Sequence, residues 1–349
     1  MKYQRDILKG VHGYTPGEQL NVPDIIKLNT NENPYPPSPK VAEALASITS
    51  DNFRKYPDPL SVKLRQLSAE RYGYPSEEWV IAGNGMDELL AMTLRTFVNP
   101  GEHVVSVNPT YSLYTVLVQL HGAEYSELDL EEDGSLPEAL YASDAALCFV
   151  PRPNAPTGLC ASRESMERLC ESFKGIVYID EAYVDFADDS CMDFPQRYEN
   201  VIVGRTFSKS FGLAGMRIGV AVANPAIMSE FLKTKDSYNL NWASQAAGVA
   251  AMEDYAYMEA QADKIKATRV RLIESLRTLG FSVRDSQSNF VLARWNGSPS
   301  AKVIFERLRD EAILVRYFDF EGLDDALRIS IGTDEETDDL LSALAYLAE

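Results

Sequence analysis

Short apolar runs alternate with helix-like stretches from Val80 to Ala223, and polar or glycine-bearing turns follow them. Val80-Ile81-Ala82 leads through Gly83-Asn84-Gly85 into a helical pattern from about Met86. His103 to Val107 precedes a helical Tyr111 to Leu120, and Ala146 to Val150 precedes another near Ser162 to Phe173. Ile176 to Ile179, Val201 to Arg205 and Ile218 to Ala223 complete the series. This alternation predicts an α/β chain: an open, mostly parallel sheet covered by helices. In such sheets ligands bind at the carboxyl ends of the strands, and the polar signatures of this chain fall there.

The flanks differ. Residues 1–37 are irregular and rich in Pro, Asn and Gly, and read as an N-terminal arm that must lie on a cleft lip or a neighbouring subunit to be ordered. Ser38 caps a helix with Pro39 at its first position, opening a large domain over 38–235. Beyond about Asp236 the pattern changes. A long helical region spans Trp242 to Leu279, Phe281 to Trp295 and Ile313 to Phe318 are strand-like, Ala326 to Ile331 is a strand, and Asp334 to Leu347 closes the chain as a helix. Residues 236–349 therefore read as a smaller α+β domain.

One turn carries distinctive chemistry. In Arg205-Thr206-Phe207-Ser208-Lys209-Ser210-Phe211-Gly212, a lysine follows two hydroxyl residues at the end of an apolar strand, and Arg217 comes shortly after. A lysine there can be an amine nucleophile toward an aldehyde. Thr206, Ser208 and Arg217 are suited to hold a phosphate beside it. Together they suggest pyridoxal phosphate. A surface lysine in a Gly/Ser loop is the commoner outcome for this residue type, and this segment alone leaves that open.

Other strand ends add to it. Gly83-Asn84-Gly85-Met86-Asp87 opens a helix, where free N–H groups bind phosphate or simply cap the turn. Pro153-Asn154-Ala155-Pro156-Thr157-Gly158 is a proline-fixed turn that can also aim Asn154 at a ligand oxygen. Asp180, in Asp180-Glu181-Ala182-Tyr183, either caps the next turn or pairs with a pyridinium nitrogen so that the ring accepts electrons. Tyr111, in Pro109-Thr110-Tyr111, is either core or a stacking face.

In this order the motifs resemble those of the fold-type I, pyridoxal-phosphate-dependent aminotransferases of class I/II, over nearly the whole chain. The resemblance implies that Lys209 forms the Schiff base and moves the proton, that Asp180 pairs with N1, and that Asn154 and Tyr183 hold O3′. It further implies that Tyr111 stacks on the ring, that Thr206, Ser208, Arg217 and the Gly85-Met86-Asp87 turn hold the phosphate, and that Tyr56 reaches that phosphate from the partner chain of a homodimer. Within the class, Gly13-Tyr14-Thr15-Pro16-Gly17-Glu18, Leu28-Asn29-Thr30-Asn31-Glu32-Asn33-Pro34, Arg54-Lys55-Tyr56-Pro57-Asp58-Pro59 and Tyr238-Asn239-Leu240-Asn241 resemble histidinol-phosphate aminotransferases. Tyr14, Asn33, Arg316 and Arg328 are then expected to contact substrate. Two arginine forks suit the phosphate of histidinol phosphate and the carboxylates of glutamate in turn. As a departure from the family pattern, Pro151-Arg152-Pro153-Asn154-Ala155 carries an additional cation, Arg152, of unknown direction.

A formal net charge of −19 argues against nucleic-acid partners and anionic membrane surfaces. No apolar run is long enough to span a bilayer, and a soluble cytoplasmic enzyme is the expectation. Cys148, Cys160, Cys170 and Cys191 form no C-x-x-C pair and His12, His103 and His121 are isolated, so no metal site is expected. The alternatives are an aromatic amino-acid aminotransferase or a threonine-phosphate decarboxylase of the same fold. A non-catalytic binding module on this fold would have lost Lys209 or Asp180, and both are present.

Overall fold

The computed structural model describes residues 3–20 and 22–347. The arm contributes strand β1 (Ile26–Lys27). The strands of the large sheet follow: β2 (Val80–Gly83), β3 (His103–Asn108), β4 (Glu124–Asp129), β5 (Leu147–Pro151), β6 (Ile176–Asp180), β7 (Val201–Thr206) and β8 (Gly219–Ala223). They form one seven-stranded sheet in the order β2-β8-β7-β6-β5-β3-β4. Strands β3 to β7 pair in parallel, while β8 runs antiparallel to both β7 and β2. Strand β2 thus runs with the parallel set, and the carboxyl ends of β2, β3, β5, β6 and β7 share one edge. Arg217, just before β8, lies at the same edge because Gly219 pairs with both Gly83 and Thr206.

The centre of the sheet is apolar because both its faces are covered: β5, β7 and β8 are buried throughout. Strand β4 escapes a reading based on apolar runs. Its Glu124-Tyr125-Ser126-Glu127-Leu128-Asp129 sequence is polar because it is the sheet's edge. The Ser38 side chain accepts from the Lys40 N–H at the start of helix Pro39–Ala46, as the capping pattern predicts.

The C-terminal part differs in detail from the expectation. The long helical region is two helices, Trp242–Glu253 and Tyr255–Thr278, broken at Asp254. The run Phe281 to Trp295 resolves into β9 (Ser282–Val283) and β10 (Phe290–Arg294) with a loop between them. The run Ile313 to Phe318 splits at Val315 into β11 (Ile313–Leu314) and β12 (Arg316–Tyr317), because the two halves join different partners. Strand β12 pairs with β13 (Ala326–Ser330) in a four-stranded sheet of order β12-β13-β10-β9, whereas β11 pairs in parallel with β1 of the arm. An additional helix, Ala301–Asp310, buries Ala301, Ile304 and Leu308. Leu28 joins the arm to both β11 and β13: its N–H donates to Leu314 O of β11, 2.7 Å, and its carbonyl accepts from the Ser330 N–H of β13, 2.9 Å. Among the described residues no helix is long and apolar enough to cross a membrane.

Candidate active site

Lys209 follows the end of β7 and is half-buried. Its Nζ donates to the Thr30 carbonyl of the arm, 3.1 Å, and sits 5.7 Å from the centre of the Tyr183 ring. Burial, reinforced by Arg328 and Arg217 and opposed by Glu32, brings its ammonium down to about 8. A far larger share of the amine is therefore unprotonated near neutral pH than in an exposed lysine, which favours a nucleophile or proton acceptor.

Asp180 ends β6 and is buried. Its Oδ2 accepts from the Tyr114 hydroxyl at 2.6 Å and its Oδ1 from the Ala182 N–H at 3.0 Å. Burial raises its carboxyl to about 6 against those two hydrogen bonds. The next residue, Glu181, turns the other way. It meets the buried Arg205 at 3.0 Å, and Arg205 also reaches Asp185 at 2.7 Å. Asp185 in turn accepts from Ser210 Oγ at 2.5 Å. One ionic cluster thus ties the end of β6 to the loop that carries Lys209.

The turn into helix Met86–Phe97 is shaped to receive an anion. The first N–H groups of a helix have no intrahelical partner and point outward. Gly85 has φ +83°, and a Cβ there would come 2.6 Å from Arg217 Nη2. A Cβ on Gly219 would lie 2.9 Å from Met86 N, so both glycines are needed for this close approach. Arg217 reaches Ser208 Oγ at 3.4 Å and pairs with Asp87 at 3.1 Å. Thr206 Oγ1 accepts from the Ser208 N–H. Backbone donors, hydroxyls and a guanidinium at one spot suit a phosphate.

Asn154 Nδ2 donates to Pro109 O at 3.0 Å while its Oδ1 accepts from Thr157 Oγ1 at 2.8 Å. The amide is locked in place with a second N–H still to give. The Tyr183 hydroxyl accepts from Asn31 Nδ2 at 3.0 Å, which leaves its own proton to donate. The Tyr111 ring lies edge-on to Tyr14 and to Tyr114, with centroids 5.6 Å apart in each pair.

Arg316 and Arg328 stand directly opposite each other on β12 and β13. Facing cations destabilise a strand pair, and among the described residues neither has a carboxylate within salt-bridge distance. Arg328 donates to Asn29 O at 3.0 Å, Arg316 reaches toward Pro16 O, and the buried Arg328 Nε has no partner. Burial, with Arg316 adding repulsion, lowers the Arg328 guanidinium from its usual range. Two opposed guanidinium forks can together receive an anion.

Asn33 and Tyr56 make contacts of other kinds within the chain. Asn33 spends its side chain on scaffolding: Nδ2 donates to Ser210 O and Oδ1 accepts from the Tyr35 N–H. Tyr56 is 76% exposed and stacks on Tyr238 with ring centroids 4.2 Å apart. Arg152 is only 1% exposed and points away from this edge. It donates to Ala161 O, pairs with Asp189, and brings no charge to the site.

The family model for aminotransferase class I and II matches residues 23–344. The chain belongs to that family. It is 46% identical to a histidinol-phosphate aminotransferase of Microcystis aeruginosa over 97% of both chains. It is 41% identical to one of Geotalea daltonii, covering 98% of this chain and 99% of that one. Among solved structures, the histidinol-phosphate aminotransferase of Sinorhizobium meliloti, in complex with pyridoxal 5′-phosphate, superposes with a TM-score of 0.85. That match has 28% identity and covers 93% of this chain and 90% of that chain.

Two residues that hydrogen-bond candidate site residues are not singled out by the sequence. Tyr114 lies within an apolar helical stretch and looks like core. Asn31 was noticed only as part of a loop string, yet it has φ +55° and hydrogen-bonds both Tyr183 and Ser330. An Asn, which tolerates the left-handed region, between two other asparagines was the available signal for Asn31.

Proposed function

We infer that this aminotransferase carries out pyridoxal-phosphate-dependent transamination between L-histidinol phosphate and 2-oxoglutarate, giving imidazole-acetol phosphate and glutamate, and run in the opposite sense in histidine biosynthesis. The observation that carries the substrate reading is the Arg316–Arg328 pair, opposed across two strands with no acidic partner among the described residues and with one orphaned N–H. One site must accept a phosphate from one substrate and a carboxylate from the other, and two planar forks suit both. The names of the relatives agree with that chemistry.

Bound pyridoxal phosphate supplies an aldehyde that captures amines and a ring that takes up electrons released at the substrate Cα. The chain's residues do the rest. Arg217, Ser208, Thr206 and the Gly85-Met86-Asp87 turn hold the phosphate. Asp180 would hold a proton on the ring nitrogen, Asn154 and Tyr183 would donate to O3′, and Tyr111 would pack on the ring face. Lys209 would supply the amine for the aldehyde and the base for the substrate Cα proton. Tyr14, Arg316 and Arg328 contact the substrate, whereas Asn33 holds the loop of Lys209. The arm, the large domain and the small domain, divided near residues 37 and 235, enclose this site.

We place the enzyme in the cytoplasm as a homodimer. The exposed Tyr56–Tyr238 stack supports an interface at which Tyr56 acts on the partner's phosphate site. A hybrid of Tyr56→Phe and Lys209→Ala chains then has one intact site and one carrying both defects. About half of the wild-type activity per dimer, with undiminished pyridoxal phosphate affinity at the active site, is expected; a remaining site that binds the cofactor as weakly as the Tyr56→Phe homodimer would refute the shared site.

The substrate assignment is tested at the arginines. Arg328→Ala should raise KM for glutamate and for histidinol phosphate together. Arg316→Ala should weigh more on the phosphate substrate, because a dianion engages both forks. Each loss should cost about 1.5–3 kcal/mol, roughly 10- to 100-fold. Wild type should prefer histidinol phosphate to histidinol, and Arg316→Ala should narrow that preference. Equal use of both by wild type would favour an aromatic aminotransferase instead.

A further inference from the structure

We propose that Tyr114 is a positioning residue for the reaction: its hydroxyl fixes the plane of the Asp180 carboxylate and keeps that group ionised. The inference rests on the role given above to Asp180. Tyr114 lies on helix Leu113–His121 and is fully buried. Its ring stacks on Phe149, with centroids 4.8 Å apart and planes at 16°, and meets Tyr111 edge-on. Clamped between two rings, it cannot swing, and its hydroxyl points at Asp180 Oδ2, 2.6 Å away. The Ala182 N–H, two residues further along the chain, donates to the other oxygen. Two donors from two elements hold both oxygens.

The surroundings leave little else to stabilise a charge there. Burial is the largest influence and favours the protonated form, and Asp87 and Glu181 add repulsion in the same sense. The Tyr178 hydroxyl, on the same strand, goes to Met86 Sδ. Tyr111 faces Asp87, and the Tyr183 hydroxyl is engaged by Asn31. On the flanking strands, Arg152 is spent on Ala161 and Asp189, and Arg205 on Glu181 and Asp185. The Tyr114 hydroxyl is therefore the side-chain donor that opposes burial and both acidic neighbours. A hydrogen bond to the charged form favours that form, and a buried acceptor left without one is costly.

The test uses the full chain freed of cofactor and labelled with [4-13C]aspartate, with the Asp180 signal assigned from its loss in Asp180→Asn. In wild type the signal should titrate near pH 6. In Tyr114→Phe, which keeps the stacked ring, the midpoint should rise by about one to two pH units. The pH at which pyridoxal phosphate affinity falls off on acidification should rise with it, and kcat should fall more than KM changes. Tyr178→Phe removes a buried hydroxyl that does not touch Asp180, and it should leave the midpoint in place. Should Tyr114→Phe fold poorly, 3-fluorotyrosine at position 114 is a stronger donor of nearly the same shape and should move the midpoint downward. An unchanged midpoint in both Tyr114 variants, or an equal shift in Tyr178→Phe, would overturn the proposal. Asp180→Asn separates the two levels of the argument. If it reacts with glutamate as fast as wild type, the role of Asp180 is wrong. If it is slow while Tyr114→Phe titrates like wild type, only the role of Tyr114 is wrong.

Discussion

Lys209→Ala should retain pyridoxal phosphate without covalent attachment and lose transamination by at least about 10³-fold. The groups proposed to hold the phosphate do not depend on the lysine: Arg217, Ser208 and the Gly85 turn are placed by β7, β8 and the start of helix Met86–Phe97. What is lost is one amine, brought down to about 8 by burial and the two nearby arginines, together with its contact to Thr30 O. No neighbour can replace it. Glu32 is bound to Lys27 and Thr30, and the Tyr183 hydroxyl, whose ionisation burial pushes upward, is a poor base near neutral pH. Small exogenous amines should restore part of the rate, since the cavity left by the side chain adjoins the reacting centre. Absorbance and a single-turnover reaction with glutamate provide the measurement. Turnover near the wild-type rate without added amine would show that Lys209 is not the proton carrier.

The sequence made the large sheet and its edge legible for a physical reason. Each chemical motif directly follows a short apolar run, and such runs end at one edge of a parallel sheet. Asp180, Lys209, Asn154 and the Gly85 turn could therefore be placed before their distances were known. Strand β4 was illegible because an edge strand needs no apolar run. Helix Ala301–Asp310 went unassigned, and the β11–β12 split was hidden because separate partners, not composition, divide it. Arg316 and Arg328 were visible as two cations, but their direct opposition depends on strand register. The direction of Arg152 depended on Asp189, which lies far along the chain. Tyr114 illustrates the general limit. Its ring obeys the helix pattern of a core residue, while its hydroxyl serves an aspartate that the sequence separates from it by two strands, two helices and the loops between them.

Asp180→Asn should slow the half-reaction with glutamate by about 10²- to 10³-fold or more, and the same change should stabilise the cofactor-free protein at neutral pH. The first effect follows from charge. A carboxylate can hold a proton on a ring nitrogen, whereas a neutral amide cannot, and loss of such a fixed electrostatic contact costs rates of that order. The second follows from linkage. The Asp180 carboxyl sits at about 6 in the fold and at 3.8 without it. Between those values the folded chain keeps a proton that the unfolded chain has lost, so the contribution of this group to stability falls as pH rises through that window. Above about pH 6 the ionised, buried carboxylate costs the cofactor-free fold up to about 3 kcal/mol. Asparagine removes that charge, and the Tyr114 hydroxyl oxygen can accept from the amide N–H while the amide oxygen keeps the Ala182 N–H. Denaturant unfolding of both cofactor-free proteins should give similar stabilities near pH 4 and a growing advantage for Asp180→Asn toward pH 7. Saturating pyridoxal phosphate should shrink that advantage, since the cofactor gives the carboxylate a cationic partner. Parallel stability curves across this range would mean that Asp180 is already ionised at low pH, and the strained charge at the base of the site would not exist.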